Sequence, residues 1–147
     1  MKRVIATPQA PAAVGPYSQA IAVGNMLFCA GQIPLLPSTG AMAGEDVKTQ
    51  TTQVLENLGA VLRAAGMSYA NVVKTTVFLT DLGDFTAMNE VYMLYFSDQP
   101  PARSTIQVAA LPKGARVEIE AVAAAEITPN SAFTLGAPVD IAPASPL

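Results

Sequence analysis

Few side chains in this sequence are suited to chemistry, and the most telling of them sit close together in its second half. The chain has no histidine, a single cysteine and eight basic residues. Imidazole-based activation and paired-thiol chemistry are therefore closed, and a site must be built from arginine, carboxylate, hydroxyl, amide and backbone. In Pro100-Pro101-Ala102-Arg103-Ser104-Thr105, the prolines fix φ and hold the preceding residues extended, so Arg103 is presented from a stiff strand entrance. Its planar fork of five donors matches a carboxylate, which makes it the leading candidate for an anion clamp. Strand alternation puts Arg103, Thr105 and Gln107 on one side of their segment and Glu118 and Glu120 on one side of the next. If those two segments pair, their polar faces coincide and bring Arg103 near a glutamate. The plainer reading is an ion pair between Arg103 and Glu118 or Glu120 on a solvated strand face.

Composition narrows the partners. The net charge is −3 and the basic residues are scattered singly, whereas nucleic-acid affinity rests on clustered cations. A nucleic-acid partner is thus disfavoured. Cys29 has no second cysteine to pair with, and Lys2-Arg3 is followed by only a short apolar run before Thr7-Pro8, too short for a signal core or a membrane span. The expectation is a cytoplasmic protein. Hydrophobic residues make up 51% of the 147 and charged ones 13%, a shortage of charge that implies a surface partly covered by other copies.

The elements that must position these residues can be read from periodicity. Residues 18–23 and 26–30 form a hairpin around Gly24-Asn25, with glycine at the turn position that needs positive φ. Residues 47–65 carry apolar or small side chains at helical spacing, with Glu45-Asp46 at the start and Gly66 as the left-handed stop. Residues 71–80 are rich in β-branched side chains and read as a strand covered on both faces, with Val73, Thr75, Val77 and Leu79 on one of them. Asp84 caps a second helix running to about Phe96, whose aromatics Phe85, Tyr92, Tyr95 and Phe96 read as core. Strands follow over 102–109 and 115–126. The order strand, strand, helix, strand, helix, strand, strand gives an α+β mixed sheet with both helices on one face. The other face needs a cover, which association of copies supplies. The expected division is one domain over residues 1–127 and a Pro/Ala-rich tail over 128–147.

Five separated motifs, in order, carry a family resemblance: Gly15-Pro16-Tyr17-Ser18-Gln19, Cys29-Ala30-Gly31-Gln32-Ile33-Pro34, Val73-Lys74-Thr75-Thr76-Val77-Phe78, Pro101-Ala102-Arg103-Ser104 and Val117-Glu118-Ile119-Glu120-Ala121. Over about residues 3–126 the chain resembles the reactive intermediate deaminase family, RidA or YjgF type. The resemblance implies a chorismate-mutase-like α+β homotrimer with sites between neighbouring copies. It implies hydrolysis of 2-enamine and 2-imine acids, such as 2-aminoacrylate and 2-iminopropanoate, to 2-oxo acids and ammonia, with no cofactor and no metal. A non-catalytic module that binds small carboxylates is the alternative, and ribonuclease activity has also been linked to the family.

Carried over by motif, Arg103 holds the substrate carboxylate and Glu118 activates water as general base. Tyr17, Asn89 and Thr105 line the pocket, and the Gly31 N–H approaches the ligand where no Cβ intervenes. Tyr17 packed under its loop, Asn89 as an ordinary helix-surface amide and Gly31 as a strand terminator are the plain alternatives. Two positions depart from well-studied members, Thr105 standing where cysteine is common and Ala30 where serine is. Threonine keeps a hydroxyl; alanine does not. Cys29 reads as a small buried residue.

Overall fold

The computed structural model describes residues 1–126, so the tail anticipated over 128–147 lies outside the described residues. Six strands form one sheet: β1 (Arg3–Ile5), β2 (Ala20–Val23), β3 (Met26–Gln32), β4 (Val72–Leu79), β5 (Ala102–Gln107) and β6 (Val117–Ala124), in the spatial order β1-β2-β3-β6-β4-β5. Two helices, α1 (Val47–Ala64) and α2 (Phe85–Tyr95), pack on each other and against one sheet face. The mixed α+β sheet and both helices are as the sequence implies. β1 is an addition, too short to leave a periodic signal.

Local chemistry accounts for the boundaries. Gly24 turns the β2–β3 hairpin with φ +58, and Asn25 does not take positive φ. The Asp46 side chain accepts the Thr49 N–H at the start of α1. At its end Gly66 has φ +73, its N–H donates to Arg63 O and that of Met67 to Leu62 O, the paired bonds of a Schellman stop. Asp84 stands at the N-cap of α2 as expected, but its side chain makes no capping bond. Its carboxylate instead takes both oxygens to Arg116 at 3.0 Å, tying the start of α2 to the entry of β6.

Burial separates the two sheet faces. Leu27, Val77, Leu79, Val117, Ile119 and Ala123 point beneath the helices and are fully buried with Val54, Leu55, Leu58 and Leu62 of α1. A bulge between Val72 and Lys74 breaks the alternation of β4, so Val72 is buried, and Val73 is exposed instead of sharing a covered face with Thr75, Val77 and Leu79 as expected. On the helix-free face Val4, Ile21, Phe28 and Val122 run across adjacent strands in register. Val4 is 64% and Phe28 49% exposed. Lys74, Thr76, Glu118 and Glu120 continue that face as a polar strip.

The strand order corrects one expectation. β5 does not pair with β6; it lies parallel to β4, and β6 enters on the other side of β4, antiparallel to it. Arg103 is level with the buried Thr75, and Thr105 with the buried Val77, so both project toward the helices. Glu118 is level with Phe78 and Glu120 with Thr76, on the opposite side. Within one chain Arg103 and Glu118 therefore face away from each other.

Candidate functional site

The residues expected to do chemistry fall into two groups on opposite faces of the sheet. The first is built by β5 and α2. The Arg103 guanidinium carbon lies 4.7 Å from the centroid of Tyr92 and 5.5 Å from that of Phe85. Those rings are seven residues apart on α2, two helical turns along one stripe, and Asn89 sits between them. Arg103 has no ion-pair partner among the described residues. The Asn89 Oδ1 and Thr105 Oγ1 atoms are buried and make no hydrogen bond there. Orphaned buried polar atoms are rare, and two of them beside an uncompensated guanidinium describe a cluster short of a polar partner.

Sequence reading placed Arg103, Thr105 and Asn89 but took Phe85 and Tyr92 as core alone. Tyr92 is indeed buried, and it is also the arginine's platform. The signal lay in the i, i+4, i+7 spacing of Phe85, Asn89 and Tyr92, which an apolar stripe conceals. Burial pushes the Tyr92 hydroxyl upward in pKa.

The second group lies where β3 meets β6. A register shift between Cys29 and Gln32 brings Gly31 against Glu118: a Cβ built on Gly31 would stand 2.9 Å from Glu118 Cδ and 3.0 Å from Oε2. A side chain at position 31 would push the Glu118 carboxylate out of its present place. Burial of Glu118 raises its carboxyl pKa, and the charge of Glu120 on the same face adds to it. Glu120 itself is exposed. Cys29 is buried, and its thiol is pushed up to about 12 by that burial, as suits an inert packed residue.

Tyr17 belongs to the same end of the sheet, because the Ala30 N–H donates to the carbonyl of Gln19, two residues beyond it. Gln19 organises this loop. Its Nε2 donates to the carbonyls of Thr7 and Pro11 at 3.1 and 2.8 Å, while its Oε1 accepts the Thr7 N–H at 2.7 Å. Gly15 turns the chain with φ +123, and the Tyr17 hydroxyl accepts the Val14 N–H at 3.2 Å. Beneath the loop is a cavity of about 370 Å³ bordered by Val4, Pro8, Ala12, Tyr17 and Gln19. Tyr17 is more than half exposed, yet its ring folds back on its own loop beside Gly15, so the packed role and a pocket-lining one are both open to it. The clasping role of Gln19 was not anticipated. Among the described residues no three of Cys, Asp and Glu gather where a metal would bind.

Fold and site together define an α+β sheet protein that offers a guanidinium to an anion on one face and a half-buried carboxyl on the other. The chain belongs to the Endoribonuclease L-PSP family, whose sequence pattern matches residues 7–125. It is 51% identical over 123 residues to the 2-iminobutanoate/2-iminopropanoate deaminase of Homo sapiens, covering 84% of this chain and 90% of that one. Among solved structures, RidA from the Antarctic bacterium Psychrobacter superposes with a TM-score of 0.81 at 49% identity, over 84% of this chain and 99% of that one. E. coli TdcF with bound serine gives a TM-score of 0.81 at 46% identity, with the same coverage. The family resemblance drawn from the five motifs is borne out.

Proposed function

We propose that the protein is a hydrolytic deaminase of 2-imino acids and their enamine tautomers, releasing a 2-oxo acid and ammonia, and that it works as a homotrimer with each site shared between two copies. The relatives named for this reaction support it, and so does the chemistry of the two groups. Arg103 lacks an acid among the described residues, and a small substrate carboxylate supplies one. Burial, and then the charge of Glu120, raise the Glu118 carboxyl above the ordinary carboxylate range, which makes it a better proton acceptor toward water.

In this reading Arg103 holds the carboxylate bidentately, with Asn89 and Thr105 beside it. A second copy lays its Glu118, Gly31 and Tyr17 over the imine carbon. Glu118 takes a proton from water as the oxygen attacks the C=N carbon and the C=N π pair moves to nitrogen, and it returns that proton to the nitrogen to give a tetrahedral amino alcohol. Collapse forms the C=O bond, breaks the C–N bond and releases ammonia. The enamine form first gains a proton at its terminal carbon. The observation that carries the shared site is the opposed facing of Arg103 and Glu118, which no single copy can reconcile. Thr105 keeps a polar contact, whereas Ala30 contributes backbone alone.

The test uses 2-aminoacrylate generated freshly by a dehydratase, with ammonia and 2-oxopropanoate release compared against the spontaneous rate. Arg103→Ala and Glu118→Gln are each expected to lose the acceleration. Mixed under conditions of subunit exchange, the two inactive variants are expected to regain about a quarter of the sites, those that draw Arg103 from one copy and Glu118 from another. No recovery on mixing would sink the shared site. No acceleration by the parent protein would sink the deaminase reading.

A further inference from the structure

The clamp requires its arginine to be held before the ligand arrives, and the surroundings of Arg103 show what holds it. Arg103 is on β5, the last strand of the sheet, with a neighbour on one side only. A long side chain on an edge strand would ordinarily sample many rotamers, and fixing them costs binding free energy. Here the guanidinium lies over Tyr92 at 4.7 Å and Phe85 at 5.5 Å. Ring faces attract a guanidinium and leave its edge, where the N–H donors project, free for an anion.

The Tyr92 ring is fixed in turn. Its hydroxyl is 2.6 Å from Thr75 Oγ1. Thr75 is fully buried on β4 and stands level with Arg103 across the parallel pair. Phe96 packs on the same ring with centroids 4.7 Å apart. Ring, hydroxyl and strand register thus form a closed triangle: Arg103 on Tyr92, Tyr92 on Thr75, and Thr75 beside Arg103. A tyrosine that served the core alone would satisfy its hydroxyl equally well at any neighbouring acceptor. This one is tied to the residue in register with the arginine that it carries.

We infer that Tyr92, locked by Thr75, is a positioning residue that presets the Arg103 fork for a carboxylate. The inference rests on the deaminase reading for the identity of the ligand. Its prediction concerns carboxylate binding rather than the chemical step: KM and product affinity suffer, while kcat is nearly kept. When the unlocked ring turns away and its contact with the guanidinium is lost, the weakening is about threefold to tenfold.

The experiment measures calorimetric binding of 2-oxopropanoate, together with melting temperature, for the parent, Thr75→Val, Thr75→Ser and Tyr92→Phe. Thr75→Val and Tyr92→Phe are expected to weaken binding by that factor, and the double variant by no more than either alone. Thr75→Ser, which keeps the hydroxyl, is expected to bind like the parent. A merely structural bond would lower the melting temperature and leave binding untouched, and that result overturns the inference. A second readout needs no ligand. The Arg103 Nε–Hε proton resonance is expected to be displaced by the Tyr92 ring current in the parent and to move in Thr75→Val. An identical resonance in both proteins overturns the positioning role. Should the parent show no turnover, the deaminase reading falls, and the resonance decides the positioning role by itself.

Discussion

Glu118 combines two burdens, a half-buried carboxyl and a like charge two residues away on the same face. Both favour the protonated form, so the folded chain holds that proton more tightly than the unfolded chain does. The contribution to stability is therefore favourable at low pH, and it is lost as pH rises from the ordinary carboxylate range through the raised folded value. Glu118→Gln is accordingly expected to raise the melting temperature at neutral pH, with the gain fading on acidification through that window. The same variant should cost about a hundredfold or more in turnover and should lose the rising limb of the pH–rate profile. A flat parent profile across that window would argue against a general base. Arg103 could be singled out from sequence because so few other groups were available, and Glu118 from its alternation and its motif. Phe85 and Tyr92 were hidden by the economy of the fold, which uses the same rings as core and as platform.

At the scale of elements, α1 was legible almost to the residue, since its apolar period, acidic start and Gly66 stop are all local signals. The β4–β5–β6 arrangement was not. Pairing β6 between β3 and β4 joins segments far apart in the chain, and alternation fixes which side chains share a face without fixing which strand lies beside which. That is why two polar faces that alternate correctly were expected to meet and instead point apart. Within α1, Gly59 gives a test in which two local rules oppose each other. Alanine is better than glycine in a helix by about 1 kcal/mol. Here, however, a Cβ would land on the Tyr69 hydroxyl, which donates to Leu55 O at 2.7 Å. Displacing that ring and losing its bond cost about 1–3 kcal/mol by overpacking and about 1 kcal/mol for the bond. Gly59→Ala is thus expected to lower the melting temperature by several degrees. A rise in thermal unfolding temperature would show that Tyr69 yields freely.

For the whole molecule, the sheet carries helices on one face and leaves Val4, Phe28 and Val122 on the other among polar neighbours. A face of that kind is stable in water chiefly when another copy covers it. Phe28→Glu, with the side chain already half exposed, is expected to leave the monomer folded by circular dichroism while sedimentation shows the proposed trimer dispersed. Retained trimers would place the contact elsewhere. Loss of turnover should accompany dispersal, because of how Arg103 and Glu118 are arranged. In the proposed shared site, with the two turned to opposite sides of one sheet, a solitary chain carries both proposed catalytic groups yet cannot bring them together. Specific activity should then decline on dilution through the association threshold, so that turnover serves as a gauge of how many copies have met.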